Sequence, residues 1–235
     1  ILTEAMLYFT GAITRMGEIK EGTTVSDYQE EEKRRGISIS TSVIPVEYKK
    51  HKINFLDTPG YTDFVGEVIS AMYVSDGVII PVESVAGAEV GTELAWSYAD
   101  RFDLPRFVLI NVLDRDNANF QKALDSVREM TDTRLVPIQL PWGEKADLKG
   151  VVDLMSMKAY QGADNKPVDI PDEMSDAVEM ARMELIEVAA ESDDELLMKY
   201  FEEETVTQEE IIKGLKSGLE KKAFAPVFAS AGIAQ

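Results

Sequence analysis

A carboxylate and a glycine lie close together in the tetrapeptide DTPG at residues 57–60. The tetrapeptide follows the apolar run 53–56, which we predict to be a buried strand, and open α/β sheets bind ligands at the carboxyl ends of their strands. At such an end Asp57 can hold Mg²⁺ through water, and Gly60 allows a backbone N–H to approach a terminal phosphate. The alternative is a simple turn that ends the strand, because Asp, Pro and Gly are all turn residues.

A second polar pair, Asn111 and Asp114, comes at the end of the apolar run 106–111 and just after it. An aspartate in this place can accept both donors on the Watson–Crick edge of guanine, whereas adenine presents the wrong pattern. Asn111 can tie neighbouring loops together. Asn and Asp after a strand are also common capping residues, so this pair alone leaves the question of a base-binding site open.

Two further candidate positions involve small residues. Ser230 and Ala231 follow the last predicted strand, 226–229, where a small side chain lets a backbone N–H reach a base carbonyl. Ser38 lies near the start of a strand predicted over 37–48, and its hydroxyl can bind Mg²⁺. The simpler interpretation of Ser38 is a serine on a half-buried strand.

The elements that must position these residues alternate along the middle of the chain. Short apolar runs predict strands over 77–82 and 106–111, and helical spacing predicts helices over 94–102 and 119–130. Buried strands that alternate with helices predict a parallel sheet with helices on both faces. We therefore expect the candidate residues that follow strands to lie at one edge of that sheet.

The first part of the chain has a different pattern. A helix is predicted over 2–8, and the polar segment 17–36 is predicted to be a mobile loop. The strands 37–48 and 53–56 are separated by a polar turn and predict a hairpin. A helix over 64–72 follows the tetrapeptide. His51, the one histidine of the chain, falls in the polar turn, where a solvated side chain is expected and not a catalyst.

The chain becomes acidic between residues 139 and 222, where 21 Asp and Glu face 10 Lys and Arg. The elements predicted there are, in order, a strand over 148–157, a loop over 161–170, helices over 172–190 and 193–203, and a last helix that begins with a capping box at Thr207–Glu210 and ends at Leu219. Methionines in this region are predicted to fill the core, namely Met155, Met157, Met174, Met180 and Met183. We interpret the region as an acidic insert in a parallel α/β domain.

The composition of the 235 residues excludes several kinds of protein. The chain has no cysteine, which rules out a disulfide framework, a thiolate metal site and a cysteine nucleophile. The net charge of −19 argues against nonspecific nucleic-acid binding by the whole surface. No apolar run approaches the roughly 18–20 residues that are needed to cross a bilayer.

Taken together, these segments resemble the translational GTPases, and most closely elongation factor G. The matching stretches are RRGISI (34–39), INFLDTPGYTDFVGEV (53–68), SDGVIIPVESVAGAEVGTE (75–93), NVLDRDNANF (111–120), KGVVDLMSMKAY (149–160) and PVFASA (226–231). The resemblance implies a P-loop GTPase-type, doubly wound α/β fold, with a mostly parallel sheet and an inserted α+β subdomain. It implies a GTP-binding (G) domain of residues 1–138 plus 223–235 that lacks its first strand and P-loop, with residues 139–222 as the insert.

The resemblance also implies a role for each candidate residue, with GTP or GDP and Mg²⁺ as cofactors. Residues 17–38 would be switch I, and Ser38, which replaces the family's usual threonine, would bind Mg²⁺. Asp57 would hold Mg²⁺ through water, and Gly60 would sense the γ-phosphate. The residues that would read guanine are Asn111, Asp114, Ser230 and Ala231.

Three departures from the family pattern matter. The chain contains no G-x-x-x-x-G-K-[ST] motif, so we expect the native protein to continue upstream of Ile1, and this chain alone to bind nucleotide poorly and to have a compromised fold. Tyr61 replaces the usual histidine; a phenol is a poor base but can orient water, so a slower or differently triggered GTPase is expected. Val112 replaces a lysine whose loss should weaken affinity more than base choice.

The function implied by the resemblance is GTP binding and hydrolysis in an elongation factor that drives ribosomal translocation. The implied partners are ribosomal RNA and a stalk protein, contacted by the full-length protein; the protein would be monomeric and cytoplasmic, without DNA or membrane partners. One alternative is a ribosomal protection-type paralogue. Another is a degenerate, nucleotide-independent interaction module, to which the absent P-loop, Tyr61 and Val112 point.

Overall fold

The computed structural model describes residues 1–162, 166–203 and 206–231. The chain forms two compact units, Ile1–Asp76 and Gly77–Gln235. Among the described residues, no helix has both the length and the apolar character needed to span a membrane.

The first unit is built from short helices and one β-hairpin. Its elements are α1 (Leu2–Phe9), a 3₁₀ turn (Ile19–Glu21), α2 (Glu30–Arg35), β1 (Ser42–Tyr48), β2 (His51–Asp57), a second 3₁₀ turn (Thr62–Phe64) and α3 (Val65–Val74). β1 and β2 pair antiparallel from Ser42 opposite Asp57 to Tyr48 opposite His51, which confirms the predicted hairpin. A small core joins α1 to β1 through Leu7, Ile44 and Val46.

The prediction of a mobile loop over 17–36 is wrong in part, because α2 forms there. Gln29 and Glu32 make a capping box at its start, and Gly36 ends it in a left-handed conformation at φ 65°. Three acidic residues in the first turn and three basic residues in the last complement the helix dipole. The predicted strand 37–48 begins only at Ser42, since the backbone of the residues before it is held by α2.

β2 does not belong to the parallel sheet. Within the part of the chain that the structure describes, it pairs only with β1, so Asp57 ends a strand of a two-stranded antiparallel sheet. The expectation that Asp57 ends a strand of the same sheet as Asn111 is therefore wrong. The apolar run 53–56 does not distinguish the two cases, because a short run of this kind fits a hairpin strand as well as a central strand.

The second unit alternates strands and helices and then carries a β-rich and α-rich insert. Its elements are, in chain order, β3 (Val78–Glu83), α4 (Val90–Arg101), β4 (Arg106–Asn111), α5 (Phe120–Met130), β5 (Arg134–Pro137), β6 (Gln139–Trp142), β7 (Gly150–Asp153), β8 (Lys158–Gln161), β9 (Lys166–Val168), α6 (Ser175–Glu191), α7 (Asp194–Glu203), α8 (Gln208–Glu220) and β10 (Phe224–Ala229).

Four of these strands form the predicted parallel sheet, in the order β3-β4-β10-β5. Its core packs buried strand residues such as Val108 and Ile110 against Trp96 of α4 and Leu124 of α5. In register, Glu83 lies opposite Asn111, and Ile110 lies opposite Ala229. The carboxyl ends of β3, β4 and β10 therefore meet at one edge, and the fold is the α/β class that the sequence predicted.

The insert between β5 and β10 combines an antiparallel sheet, β6-β7-β8-β9, with the helices α6–α8. The predicted strand over 148–157 is two strands, β7 and β8, because the chain turns between them with Met157 at φ 53°. The predicted loop over 161–170 contains β9, while its residues 163–165 lie outside the described part of the chain.

Met157, Met180 and Met183 are exposed, so the prediction that they fill the core is wrong; Met180 and Met183 lie on the outer side of α6. Met155 and Met174 do pack against the insert's core. The capping box at Thr207–Glu210 is present. The domain boundaries at 139 and 222 remain a prediction, since Gly77–Gln235 is one compact unit.

Candidate functional site

The loop after β4 and the loop after β10 meet at the carboxyl edge of the parallel sheet. The Ser230 N–H donates to the Ile110 carbonyl at 2.9 Å, and the Leu113 N–H donates to the Ser230 carbonyl at 3.3 Å. Between those two bonds the chain turns at Val112, which has a left-handed backbone at φ 63°. The structure thus brings the loop that carries Asn111 and Asp114 next to Ser230.

Two acceptor atoms in this loop are buried without a partner. Among the side-chain oxygen and nitrogen atoms of the described residues, two are fully buried and form no hydrogen bond. They are Asn111 Oδ1 and Asp114 Oδ1. Buried polar atoms in proteins are nearly always paired, and each unpaired one costs about 1–3 kcal/mol. Since both atoms are acceptors, a group that pairs with them has to present N–H or O–H donors.

Ser84, which the sequence analysis did not single out, holds this loop from the end of β3. Its N–H donates to the Asn111 carbonyl at 3.0 Å, and its hydroxyl donates to the Val112 carbonyl at 2.9 Å. Its own carbonyl accepts from the Asn119 N–H at 3.0 Å. The sequence does place Ser84 directly after a predicted buried strand, and this position could have marked it as a residue of the same sheet edge as Asn111.

Two further contacts fix the same loop. The Lys145 N–H, from the turn between β6 and β7, donates to the Leu113 carbonyl at 3.0 Å. The Arg115 guanidinium pairs with the Glu83 carboxylate at 2.5 Å. The backbone of the loop is therefore tied to β3, to β10 and to the insert, while the oxygens of Asn111 and Asp114 described above stay unpaired.

The remaining candidates lie in the first unit. Asp57 Oδ2 accepts a hydrogen bond from the Thr3 hydroxyl at 2.6 Å. Gly60 is exposed, and a Cβ built on it would meet no atom of the described residues within 4 Å, so packing gives no reason for a glycine there. Tyr61 is 57% exposed and precedes the short 3₁₀ turn Thr62–Phe64. The Phe64 N–H donates a hydrogen bond to the Tyr61 carbonyl.

Ser38 is bonded to a buried aspartate. Its hydroxyl donates to Asp27 Oδ1 at 2.7 Å, and the other oxygen of Asp27 accepts from the Thr24 hydroxyl at 3.3 Å. A hydroxyl that donates its proton keeps both lone pairs, so Ser38 Oγ stays able to bind a cation. Asp57 likewise keeps acceptor capacity beyond the bond from Thr3.

Two buried glutamates hold the segment before β1 and were missed by the sequence analysis. Glu4 accepts from the Gly17 N–H at 2.9 Å and from the Val25 N–H. Glu32 is 0% exposed and accepts backbone N–H groups of Gln29 and Ile39 at 2.9 Å, together with that of Ser40.

Burial raises the pKa of Glu32, but the backbone hydrogen bonds to its carboxylate outweigh this effect and hold the pKa below its ordinary value. Glu32 is therefore ionised at neutral pH and acts as an anionic anchor for the backbone on both sides of α2. No signal in the sequence separates Glu32 from the neighbouring glutamates, because its role depends on tertiary contacts.

The donor set suits a hard cation that is held mainly by other groups. The described residues contain no cluster of three or more His, Asp or Glu side chains that could bind a metal by themselves. Ser38 and Asp57 offer oxygen atoms with free lone pairs, and oxygen is the ligand that Mg²⁺ prefers. Each of these residues therefore offers an oxygen atom that suits Mg²⁺.

Comparison with known proteins agrees with this architecture. The family described as Elongation factor Tu GTP binding domain matches residues 1–233. A protein from Thermus thermophilus, known from a crystal structure, is 36% identical to this chain in sequence, and its structure superimposes on this chain with a TM-score of 0.91. The match covers 98% of this chain but 35% of the Thermus chain, so this chain spans about a third of that protein's length. The expected kinship with an elongation factor G-type G domain is confirmed, and the chain belongs to the GTP-binding domain family of the translational GTPases.

Proposed function

We propose that this chain is part of the G domain of an elongation factor G-like protein, which binds GTP and GDP with Mg²⁺, hydrolyses GTP and works on the ribosome in translocation. The observation that carries the proposal is the pair of buried acceptors, Asn111 Oδ1 and Asp114 Oδ1, which lack donors. Family membership supplies the class of ligand, and these two atoms supply the reason to expect it at this loop.

Guanine has the donors that such a loop requires. Its N1–H and 2-amino group point in the same direction, and the Asp114 carboxylate can accept both, whereas adenine presents an acceptor at N1. The Ser230 N–H is already used on Ile110, so the Ala231 N–H is the backbone group that we expect to reach the 6-carbonyl of the base. Ser230 then acts by holding the loop, and Ala231 by donating.

For the phosphate end of the nucleotide we propose Ser38, Asp57 and Gly60. Ser38 Oγ would bind Mg²⁺ directly, and Asp57 would bind it through water. Asp27 accepts the hydroxyl proton of Ser38, and the Thr3 hydroxyl donates to Asp57. When bound, Mg²⁺ would neutralise charge that develops on the β- and γ-phosphates. The Gly60 backbone can approach the γ-phosphate because no side chain stands in the way.

Tyr61 is the residue that we propose to orient the attacking water. Phosphoryl transfer needs positioning of the nucleophile more than proton abstraction, so a phenol hydroxyl is chemically sufficient. Its exposure leaves the ring free to take different orientations. We therefore propose slow hydrolysis in the absence of a partner that fixes this side chain.

For partners we propose ribosomal RNA and a stalk protein. The insert exposes apolar side chains on its outer helices, including Met183, Met198 and Phe201, within a region of 21 acidic and 10 basic residues. A basic partner that also makes apolar contacts suits this surface. The stalk protein implied by the family resemblance is the partner that we propose for the apolar side chains of this surface.

The proposal is tested by displacement of a fluorescent guanine nucleotide from the full-length protein in the presence of Mg²⁺. We expect excess GTP or GDP to displace the probe and the same concentration of ATP to leave it bound. Displacement by ATP and GTP alike would contradict base recognition by Asp114. A folded sample that binds no guanine nucleotide would favour the interaction module, and Val112, which stands where the family has lysine, is the residue to examine next.

A further inference from the structure

We infer that Ser84 is a positioning residue for base recognition, because it fixes the loop that presents Asn111 and Asp114. The inference rests on the proposed function, in which those two residues bind guanine. Ser84 itself is 1% exposed and lies at the end of β3, where it would touch no nucleotide. Its effect on the base would therefore pass through the loop after β4.

Ser84 makes three hydrogen bonds, and each ends on a different residue of that loop. Its N–H reaches the Asn111 carbonyl, its hydroxyl reaches the Val112 carbonyl, and its carbonyl accepts the Asn119 N–H, at 2.9–3.0 Å. Asn119 is also the N-cap of α5, and its side-chain oxygen accepts a hydrogen bond from the Lys122 N–H at 2.7 Å. One buried residue thus spans both ends of the segment that contains Asp114.

The hydroxyl bond acts at the most strained point of the loop. Val112 has φ 63°, a left-handed conformation that costs an L-residue about 1–2 kcal/mol and that β-branched side chains rarely adopt. Its carbonyl accepts both the Ser84 hydroxyl at 2.9 Å and the Arg115 N–H at 3.2 Å. These two bonds hold the turn closed, and Asp114 is the residue immediately inside it.

This arrangement matters for discrimination because a carboxylate must meet two donors at once. Hydrogen bonds weaken steeply when the donor angle departs from linearity, so a loop that relaxes would lose part of the bond to the 2-amino group of guanine. We expect loss of the Ser84 hydroxyl to reduce the contribution of that group more than the contribution of phosphate contacts. A structural residue without a positioning role would weaken all nucleotides equally.

The test uses the full-length protein and compares GDP with inosine diphosphate, which lacks only the 2-amino group. The wild-type protein is expected to prefer GDP by about tenfold or more, as one hydrogen bond to a charged acceptor is lost with inosine diphosphate. In Ser84→Ala this preference should fall by about fivefold, the effect of one neutral hydrogen bond.

The matched control is Ser192→Ala. Ser192 is 6% exposed and donates its hydroxyl to the Val188 carbonyl at 2.7 Å, so the variant loses an equivalent buried bond within the insert. Its preference for GDP should equal that of the wild type. An unchanged preference in Ser84→Ala, or an equal loss of affinity for both nucleotides, would overturn the inference.

Amide hydrogen exchange tests the same role without nucleotide. The Leu113 and Arg115 amides, which are bonded to Ser230 and Val112, should exchange about fivefold faster in Ser84→Ala, while the Val108 amide within β4 stays protected. Unchanged exchange at Leu113 and Arg115 would overturn the inference. If the wild type binds GDP and inosine diphosphate equally, base recognition fails, and exchange still decides whether Ser84 holds the loop.

Discussion

The Leu113 N–H donates to the Ser230 carbonyl at 3.3 Å, so the loop after β4 and the loop after β10 are joined directly by their backbones. The whole insert lies between these loops in sequence, yet parallel pairing of β4 with β10 brings their ends into register. The two buried, unpaired oxygens of Asn111 and Asp114 lie in the first of the two loops. The sheet edge therefore presents two buried acceptor atoms that suit a ligand with N–H or O–H donors.

Val112→Asn should stabilise the chain. Valine at φ 63° is strained, whereas asparagine adopts left-handed backbone readily, so we expect the free energy of unfolding to rise by about 1 kcal/mol. Urea unfolding would measure the change. The control is Val90→Asn at the exposed first residue of α4, which should change stability little. A loss of stability in Val112→Asn would show that this backbone conformation is not the source of strain.

Glu32→Gln should destabilise the first unit, with a characteristic pH dependence. The pKa of Glu32 lies below the ordinary value of 4.5, so its carboxylate stabilises the fold above that pH and the contribution is lost as the pH falls through the folded-state pKa. We expect a loss of about 2 kcal/mol near neutral pH, because a carboxylate that holds three backbone donors is replaced by an amide.

Unfolding curves of the wild type and Glu32→Gln, recorded from pH 7 down to pH 3, provide the measurement. The difference between them should shrink below pH 4.5. Glu31→Gln is the control: Glu31 is the neighbouring residue and pairs with Arg34 and Arg35 at the surface, so its loss should matter little. An equal cost for both variants, or a difference that does not shrink as the pH falls below 4.5, would count against the anchor role of Glu32.

Tyr61→His should raise the ribosome-stimulated rate of GTP hydrolysis, since an imidazole can both orient water and accept a proton near neutral pH. A gain of about tenfold is expected, below the full range of general base catalysis because the tyrosine already orients water. Tyr61→Phe, which removes only the hydroxyl, should lower the rate. Multiple-turnover phosphate release in the full-length protein would measure both, and equal rates for all three proteins would exclude Tyr61 from the reaction.

Much of the fold follows from local patterns. The short apolar runs at 77–82 and 106–111 and the helical spacing at 119–130 predict the parallel sheet and α5, because burial on one or both faces leaves a periodic trace in the sequence. The predicted edge that joins Asn111 to Ser230 follows from the parallel sheet alone. These features needed no knowledge of tertiary contacts.

Other features depend on contacts that the sequence does not display. The helix α2 lies in a segment without apolar periodicity, and it is held by hydrogen bonds from Glu32 to the backbone on both sides. Membership of β2 in a separate hairpin depends on which strand supplies its partner. Ser84 and Asp27 act through hydrogen bonds to residues that are not their neighbours in sequence, such as Val112 and Ser38, and no composition or spacing reveals these bonds.

Replacement of Asp114 by asparagine tests the central claim, which is that this carboxylate reads guanine. An amide can donate to a 2-oxo group and accept N1–H, so Asp114→Asn should prefer xanthosine diphosphate to GDP by at least about tenfold, the reverse of the wild type. Asp116→Asn, at an exposed position two residues further on, should keep the preference for GDP. Competition with a fluorescent nucleotide measures both variants. An Asp114→Asn protein that still prefers GDP would contradict the account.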